Sequence, residues 1–316
     1  MVLLRRGTRP RRRGTPVPRT AGRTRRRAQG NAVNRTTVVV ATRNRAEELA
    51  RTLAELSTID PPPPVIVLDN GSTDHTAELA ASFEQVRVIR SQHNHGAAAR
   101  NQGVIAARTP YVAFSDDDSW WARDALPRAE KLFAAHPRLG LLTGRTLVGP
   151  EERDDPITPA LAHSPLGTPP DAPGPLVLGF LACSAIVRRS AFLQAGGFSP
   201  MLHFGAEEQL LSYDLAAAGW QLCYAKHVVA HHYPSSSRPS PGWRQRAETR
   251  NQLLISWQRR PADVCANQLR RLLARARREP GLLAALAAAA IRLPHALARR
   301  RVLPAAIERQ ARLTEG

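Results

Sequence analysis

Cysteine is scarce in this chain of 316 residues, and its placement excludes two common kinds of cross-link. The three cysteines, Cys183, Cys223 and Cys265, lie far apart and include no Cys-x-x-Cys pair. That spacing argues against both a disulfide framework and a zinc knuckle. Such a chain is typical of a reducing compartment, and we predict a cytoplasmic location.

Long hydrophobic runs are also missing. The longest, Leu282 to Ile291, is followed by Arg292 and falls short of the roughly 20 apolar residues that a spanning helix needs. Near the amino terminus, the three apolar residues 2–4 are too few for the hydrophobic region of a signal peptide. We therefore expect neither a transmembrane segment nor a signal peptide.

Positive charge is plentiful but confined to the two ends. Residues 1–35 hold twelve arginines and no acid, and residues 243–316 hold sixteen arginines against five acids. Residues 36–242 are mildly acidic, with 17 basic and 21 acidic side chains. Arginine-rich ends suit phosphate-rich surfaces, either nucleic acid or anionic lipid. We predict a disordered arm over 1–35, because its composition cannot bury a core.

The middle of the chain alternates strands and helices as a doubly wound α/β sheet requires. Buried strands are predicted over 37–41, 65–68, 86–89 and 111–114, and helices over 45–56, 76–83 and 97–107. Polar residues follow each strand, at the edge where an open α/β sheet binds its ligands.

Beyond residue 145 the pattern is looser. Residues 149–175 are rich in Pro, Asp and Gly and predict a long loop. Ordered structure is expected again over 176–187, in a helix over 207–218 and in strands near 222–224 and 228–230. From residue 243 onward the pattern predicts a basic helical tail.

Three adjacent carboxylates, Asp116, Asp117 and Asp118, follow the fourth predicted strand. Adjacent carboxylates repel one another, and a divalent cation is the natural compensation. An extended backbone directs Asp116 and Asp118 to one side, where both can reach a single metal ion, and directs Asp117 away. The alternative is that Asp118 or Ser119 caps a helix that starts near Trp121.

Several short motifs occur in an order that resembles the family 2 glycosyltransferases. The resemblance covers residues 36–234 and implies the A-type glycosyltransferase fold, with a Rossmann-like nucleotide-sugar-binding half over 36–120, an acceptor and catalytic half over 176–234, and a mixed central sheet. The motifs are Val38–Arg45, Asp69–Asp74, Asn94–Gly96 with Arg100 and Asn101, and Asp116–Asp118.

The resemblance also implies which residues bind the nucleotide. A carboxylate such as Asp69 suits a uracil or thymine ring because it accepts the ring N–H; Asp69-Asn70-Gly71 is equally compatible with a plain tight turn. Arg100 is placed to meet phosphate, unless it is a surface arginine. Ala41 and Arg43 depart from the family pattern, which leaves the donor open between UDP and dTDP types. The implied nucleotide-sugar residues are Thr42, Asn44, Arg45, Asp69, Asn70, Arg100 and Asp117.

The implied acceptor side includes a pair of carboxylates at the start of a helix. Glu208 occupies the position of the family's general base, which takes the proton of the attacking hydroxyl, and Glu207 is the alternative. Both could instead only favour the helix dipole. His231 is the implied third metal ligand beside Asp116 and Asp118, for Mg or Mn.

The function predicted from these residues is metal-assisted, inverting sugar transfer from a nucleotide diphosphate sugar to an acceptor hydroxyl, in the synthesis of cell-envelope glycans. The acceptor is a glycan, a lipid-linked sugar or a small molecule. Arg246, Arg250 and Asn251 could approach the diphosphate or the acceptor. The tail and its run 282–291 could rest on an anionic membrane at its inner face, or could pack as an amphipathic hairpin.

Two other classes explain part of the sequence. A nucleic-acid-binding protein accounts for the arginine-rich ends but predicts a basic folded module, whereas residues 36–242 are acidic. A sugar-phosphate nucleotidyltransferase shares an α/β fold and an acidic metal site. It also needs a glycine-rich phosphate loop after the first strand, where this chain has Ala41–Arg45.

Overall fold

The computed structural model describes residues 34–235, 240–279 and 281–315. The arm predicted over 1–35 lies almost wholly outside these residues. The described part of the chain forms one compact unit, which includes the carboxyl-terminal helices.

The first half of the chain folds as the alternating pattern predicts, with element bounds within a few residues of those expected. Helix formation in this half follows from amphipathic spacing: Leu49, Leu53 and Leu56 form one stripe of the first helix and are fully buried. The elements are β1 (Thr36–Thr42), α1 (Ala46–Ser57), β2 (Val65–Asp69), α2 (Thr76–Ala81), β3 (Val86–Arg90), a 3₁₀ turn (Gly96–Ala99), α3 (Arg100–Ala106) and β4 (Tyr111–Asp116).

The second half departs from the pattern in several places, and the loop expected over 149–175 contains a short strand at Arg153–Asp154 and a short helix at Thr158–Ala162. Residues 119–121 form a strand, so the helix expected near Trp121 begins only at Ala125. In the segment 176–187, where ordered structure was expected, a strand begins only at Ala185. The two strands expected near 222–224 and 228–230 form one continuous strand. The elements are β5 (Ser119–Trp121), α4 (Ala125–Ala135), β6 (Leu139–Val148), β7 (Arg153–Asp154), α5 (Thr158–Ala162), β8 (Ala185–Arg188), α6 (Arg189–Ala195), α7 (Glu207–Ala217) and β9 (Gln221–His232).

Within the described residues, nine strands form a single mixed sheet. The order is β3-β2-β1-β4-β8-β6-β9-β5, and β7 pairs with the carboxyl-terminal end of β6. Strands β1 to β4 are parallel, β8 is antiparallel to both β4 and β6, and β9 is parallel to β6. Alternate residues of β1 enter different cores: Val39 packs on one side of the sheet, and Val38 and Val40 pack on the other.

The tail is helical, as predicted, and it packs against α7. Arg259 makes two hydrogen bonds to Asp214 of α7, at 2.6 and 2.9 Å. Arg260 is buried between Glu308 and Glu315, and its guanidinium reaches the Tyr213 hydroxyl. The tail is therefore part of the packed domain. Its helices are α8 (Pro241–Arg259), α9 (Ala262–Ala276), α10 (Gly281–Ala298) and α11 (Ala305–Glu315).

Helix α10 is longer than the apolar run alone suggested, because it continues past Arg292 to Ala298. By length and composition it is the one helix among the described residues that could cross a membrane. Its residues Leu282, Ala285 and Ala289 are buried, and the helix packs along α8. Length and composition do not separate a spanning helix from one that packs on protein.

The buried Arg260 gives a test of how the tail is held. Arg260→Ala would remove the buried cation between Glu308 and Glu315 and leave Glu308 paired only with the exposed Arg312, and the loss of one partner from a buried ion pair costs up to about 3–5 kcal/mol. Urea denaturation should show a loss of that size. The matched control is Arg275→Ala, whose pair with Glu279 is exposed and should contribute less than about 1 kcal/mol. Equal losses in the two variants would contradict a structural role for the buried pair.

Candidate active site

The candidate site lies where three parallel strands end. In the sheet register Thr42 pairs with Asp69 and Ala41 pairs with Asp116, so the ends of β1, β2 and β4 are neighbours. This is the edge at which open α/β sheets bind ligands. The structure thus brings together the nucleotide-binding residues and the Asp116–Asp118 motif that the sequence predicted.

Two asparagines fix the loops at this edge. Asn44 has a left-handed backbone (φ 53°), and its side chain accepts a hydrogen bond from the Thr73 amide at 2.8 Å. Asn70 donates to the carbonyl of Gly96 and accepts from the amide of His95. Both side chains therefore shape the loop backbone.

Asp69 is almost fully buried although it is charged. One carboxylate oxygen accepts from the Ser72 amide at 3.0 Å, and the other lies 3.3 Å from Arg90 Nε. The turn predicted from its composition is present, and the role of Asp69 as a nucleotide ligand stays a prediction. Arg45, close by, is paired with Glu48 at 3.2 Å, and its backbone amide donates to Thr76.

The three adjacent aspartates have three different environments. Asp116 forms an ion pair with Arg100. Asp117 turns inward and accepts from the Thr42 hydroxyl at 2.9 Å; burial, with Asp116 and Asp118 close by, raises its pKa to about 7. Asp118 accepts from the Ser235 amide at 3.0 Å.

The helix-capping alternative for this motif is wrong. Ser119 and Trp121 belong to β5, which pairs with β9, and the following helix begins after Asp124. Neither Asp118 nor Ser119 therefore stands at a helix start.

The prediction that His231 completes a metal shell needs correction. His231 Nδ1 lies 3.2 Å from Glu152, and the ring stacks on Trp120. His232 instead places Nε2 at 3.4 Å from Asp118 Oδ1. Successive residues of β9 point to opposite faces, so only one of the two histidines can face Asp118.

Side chains alone do not complete a metal shell here. Across 34–235, 240–279 and 281–315, no three His, Cys, Asp or Glu residues lie together as a metal site. Mg²⁺ is commonly held by one or two carboxylates, with water and substrate phosphate filling the other positions. Asp118, beside His232, and the one-third-exposed Asp116 fit that kind of site.

Arg100 is the cation of the site. The sequence assigned it to a phosphate, whereas its guanidinium is paired with Asp116 and packs over the Phe198 ring. Burial opposes the charge on Arg100, but Asp116, Glu207 and Glu208 outweigh it and raise the pKa of the guanidinium. Arg100 is therefore surrounded by acidic groups from both halves of the domain.

Helix α7 begins with Glu207 and Glu208, the two residues predicted as alternatives for the general base. Glu207 is buried, and its Oε2 has no hydrogen-bond partner in the part of the chain that the structure describes. Glu208 is half-buried. Burial and the charge of Glu207 raise the pKa of Glu208 to about 8, and burial raises the pKa of Glu207 as well.

The loop before Glu207 has an unusual backbone. His203, Gly205 and Ala206 all have left-handed φ values, of 62°, 90° and 61°. For a non-glycine residue this conformation costs of order 1 kcal/mol or more, and it persists only where surrounding contacts impose it.

Asn251 imposes that loop conformation. Its buried side-chain amide donates to the carbonyls of Leu202, Phe204 and Gly205, and Arg250 donates to Leu202 as well. These two residues were predicted to approach the diphosphate or the acceptor; in the structure their side chains bind the loop that precedes the glutamates.

The two halves of the site are held together by contacts that sequence reasoning missed. Asn101 donates to the Phe198 carbonyl and accepts from the Phe198 amide, at 2.8 and 2.9 Å. The Ala97 amide donates to the His203 carbonyl, and a side chain at Gly96 would lie 2.0 Å from that oxygen. Asn101 follows Arg100 in the motif, which was the available signal; Asn251 was named from the sequence, but for the diphosphate or the acceptor and not for this loop.

The sheet order, the Asp116–Asp118 motif and the helical carboxyl-terminal region define the A-type glycosyltransferase fold. The chain belongs to glycosyl transferase family 2, whose profile matches residues 37–195, half of its length.

Solved structures share this fold at low sequence identity. The mannosyltransferase PcManGT from Pyrobaculum calidifontis, in complex with GDP-Man and Mn²⁺, superposes with a TM-score of 0.56 at 22% identity and covers 81% of this chain and 75% of its own. Residues 1–349 of S. aureus TarS, in complex with UDP-GlcNAc, give a TM-score of 0.55 at 18% identity, over 70% and 66% of the two chains.

Sequence relatives include two mycobacterial proteins. The pre-mycofactocin glycosyltransferase of Mycobacterium tuberculosis is 31% identical over 64% of this chain and 43% of its own length. The N-acetylglucosaminyl-diphospho-decaprenol L-rhamnosyltransferase of the same species is 28% identical over 65% of this chain and 78% of its own. The chain thus spans less than half of the length of the first relative.

The raised pKa of Glu208 predicts how stability depends on pH. A carboxyl whose folded pKa is above its unfolded value binds its proton more tightly when folded, so its contribution to stability is lost as pH rises from about 4.5 to about 8. In Glu208→Gln the fall in melting temperature over this range should be smaller than in the parent. The exposed Glu55→Gln is the control. A Glu208→Gln curve parallel to the parent curve would contradict the shift.

Proposed function

We propose that this chain transfers a sugar from a nucleoside diphosphate donor to an acceptor hydroxyl with inversion at the anomeric carbon. The observation that carries the proposal is the position of Glu207 and Glu208 in the field of Arg100, across from the aspartates at the strand ends. That arrangement sets a proton acceptor opposite a place for an anionic leaving group.

The donor nucleotide is assigned to the edge formed by β1 and β2. Asp69 accepts the ring N–H of the base, and the loops held by Asn44 and Asn70 surround the base. Thr42, whose hydroxyl donates to Asp117, and Arg45 complete the nucleotide site. The complexes of the two solved structures, with GDP-Man and UDP-GlcNAc, support a nucleotide-sugar donor. A UDP or dTDP sugar is the donor that we propose.

A divalent cation, Mg or Mn, is assigned to Asp118 and His232, with Asp116 beside them. When bound, it supplies positive charge to the departing diphosphate. Arg100 holds Asp116 in place for this purpose, and the Ser235 amide orients Asp118. The Mn²⁺ in the PcManGT complex supports this assignment.

Glu208 is the proposed general base. A base must be near the proton that it takes and must have a pKa near the working pH, and the raised pKa of Glu208 meets the second requirement. The proton moves from the acceptor hydroxyl to the Glu208 carboxylate as the oxygen attacks the anomeric carbon, and the nucleoside diphosphate leaves from the opposite face. Glu207, buried behind it, disfavours a second negative charge and so helps to raise that pKa.

Cell-envelope glycan synthesis is the proposed setting. The names of two relatives support it, one a decaprenol-linked rhamnosyltransferase and one a teichuronic acid biosynthesis glycosyltransferase of Bacillus subtilis. Helix α10 exposes Leu283, Ile291 and Leu297 in a tail with sixteen arginines. We propose that this surface rests on the anionic inner face of the membrane and gives access to a lipid-linked acceptor.

The metal assignment is tested with Asp118→Asn. The amide keeps the size of the side chain but loses its charge, so Mn²⁺-dependent binding of a nucleoside diphosphate should weaken at least tenfold while the melting temperature changes little. Titration calorimetry with and without Mn²⁺ measures the effect. His232→Gln should weaken the same binding, and His231→Gln should leave it unchanged. The reverse result for the two histidines would return the site to His231.

The base is tested with Glu208→Gln. The amide cannot accept the hydroxyl proton, so transfer should slow by about a hundredfold or more while donor affinity is kept. Single-turnover transfer at saturating donor, over a panel of nucleotide sugars, gives the rate. Glu207→Gln is the matched control, because it removes the neighbouring charge. A large loss of transfer rate in Glu207→Gln alone would identify Glu207 as the base. Normal transfer rates in both variants would refute the mechanism.

A further inference from the structure

A large cleft lies away from the strand ends that form the candidate active site. Its volume is about 1320 Å³, above the usual range for a small-molecule pocket. Its walls come from α4, from β6 and β7, from α5 and from the middle of β9. Lys226 on β9 precedes His232 by six residues, which is about 20 Å of extended strand. A chain-like ligand could therefore reach both places.

Local backbone features shape the cleft. In the pairing of β6 with β9, Gly144 is opposite Ala225 but Arg145 is opposite Val229, so residues 226–228 bulge out of the ladder. Two glycines permit the close approach of β9: a side chain at Gly144 would lie 2.4 Å from the Val228 carbonyl, and one at Gly174 would lie 2.1 Å from the Tyr224 carbonyl. Bulges commonly re-aim side chains beside functional sites.

The cleft carries an excess of positive charge. Two cationic side chains of its lining are neutralised by acids of the same lining: Arg128 by Asp124 at 2.6 Å, and Arg145 by Asp154 at 2.6 Å. The lining also holds Lys131 and Lys226, both exposed, and neither forms an ion pair within the described residues. This excess stands out in residues 36–242, which are acidic as a whole.

The identity of these two cations is unusual in this chain. Of 45 basic side chains, 43 are arginines and two are lysines, and the two lysines are Lys131 and Lys226. They are 95 positions apart in sequence and yet line the same cleft, one on α4 and one in the bulge of β9. Lysine presents a compact charge on a flexible stem, which suits a phosphate or carboxylate whose position varies along a chain.

We propose that this cleft binds an anionic glycan segment, one that carries phosphate or carboxylate groups. The lysines meet the anionic groups, and the apolar part of the walls, including Pro127 and Pro175, contacts the sugar rings. That this segment belongs to the acceptor rests on the proposed function. The proposal that the cleft binds an anionic glycan does not rest on the proposed function.

The two lysines carry the only side-chain amines of the protein, which gives a readout specific to the cleft. The full chain is acylated with an amine-specific reagent, alone and with oligogalacturonate, its neutral methyl ester, or short-chain polyphosphate, and each lysine is quantified by mass spectrometry. Oligogalacturonate or polyphosphate should slow acylation of both lysines at least fivefold, and the methyl ester should not. Protection by only one of the two anions identifies the anionic group. No protection by either overturns the proposal.

Matched variants separate the cleft from the arginine-rich tail. Lys131→Gln/Lys226→Gln should weaken binding of the protective anion about tenfold, and Lys131→Arg/Lys226→Arg should keep it. Arg277→Gln/Arg278→Gln removes the same charge from exposed positions of the tail and should change binding less than threefold. Equal losses in the two glutamine variants would show general attraction to a basic protein and would overturn the proposal.

Transfer kinetics distinguish the proposal for the cleft from the proposed transferase function. In Lys131→Gln/Lys226→Gln, KM for an anionic acceptor should rise while kcat and donor affinity stay the same. If the lysines are protected but no donor is ever turned over, the cleft stands and the transferase mechanism fails. If transfer occurs without protection of the lysines, the cleft proposal fails alone.

Discussion

The ion pair between Arg100 and Asp116 is the interaction on which the site depends. The charges of Glu207 and Glu208 also raise the pKa of this guanidinium, so three carboxylates from distant parts of the chain act on one largely buried cation. Without it, their mutual repulsion in a poorly solvated place would oppose the closure of the two halves. Arg100 also packs over the Phe198 ring, which belongs to the segment between α6 and α7. One side chain therefore sets both the charge and the geometry of the site.

Backbone contacts then hold the halves in register. The paired hydrogen bonds between Asn101 and Phe198, and the contact of Gly96 with His203, join the loop after β3 to the segments before α7. The loops at the strand ends and the segment that leads into the glutamates are thus joined by direct hydrogen bonds. The tail extends it, since Arg259 is bound to Asp214 at the far end of α7.

Local pattern was enough to predict the parallel strands and the polar residues at their ends, because buried strands and polar ends are encoded in adjacent positions, and the family resemblance supplied the A-type fold. It failed where partners are distant in sequence. Asp116 and Arg100 each have a clear local signal, but nothing local says that they pair. The choice between His231 and His232 depends on the bulge in β9 and on its pairing with β5, and Asn251 acts 46 residues from Gly205. Such contacts are decided by tertiary packing.

The position of Glu207 and Glu208 depends on helix α8, because the left-handed loop that precedes them is held by a residue of that helix. His203 and Ala206 adopt a backbone that their side chains disfavour, and the amide of Asn251 is the constraint that keeps it. If α8 moves away, this loop relaxes toward ordinary conformations, and one core of the sheet opens as well, because Leu253, Leu254 and Ile255 of α8 belong to it. Damage far along the chain at α8 would therefore disturb the glutamate geometry and the packing of the sheet together.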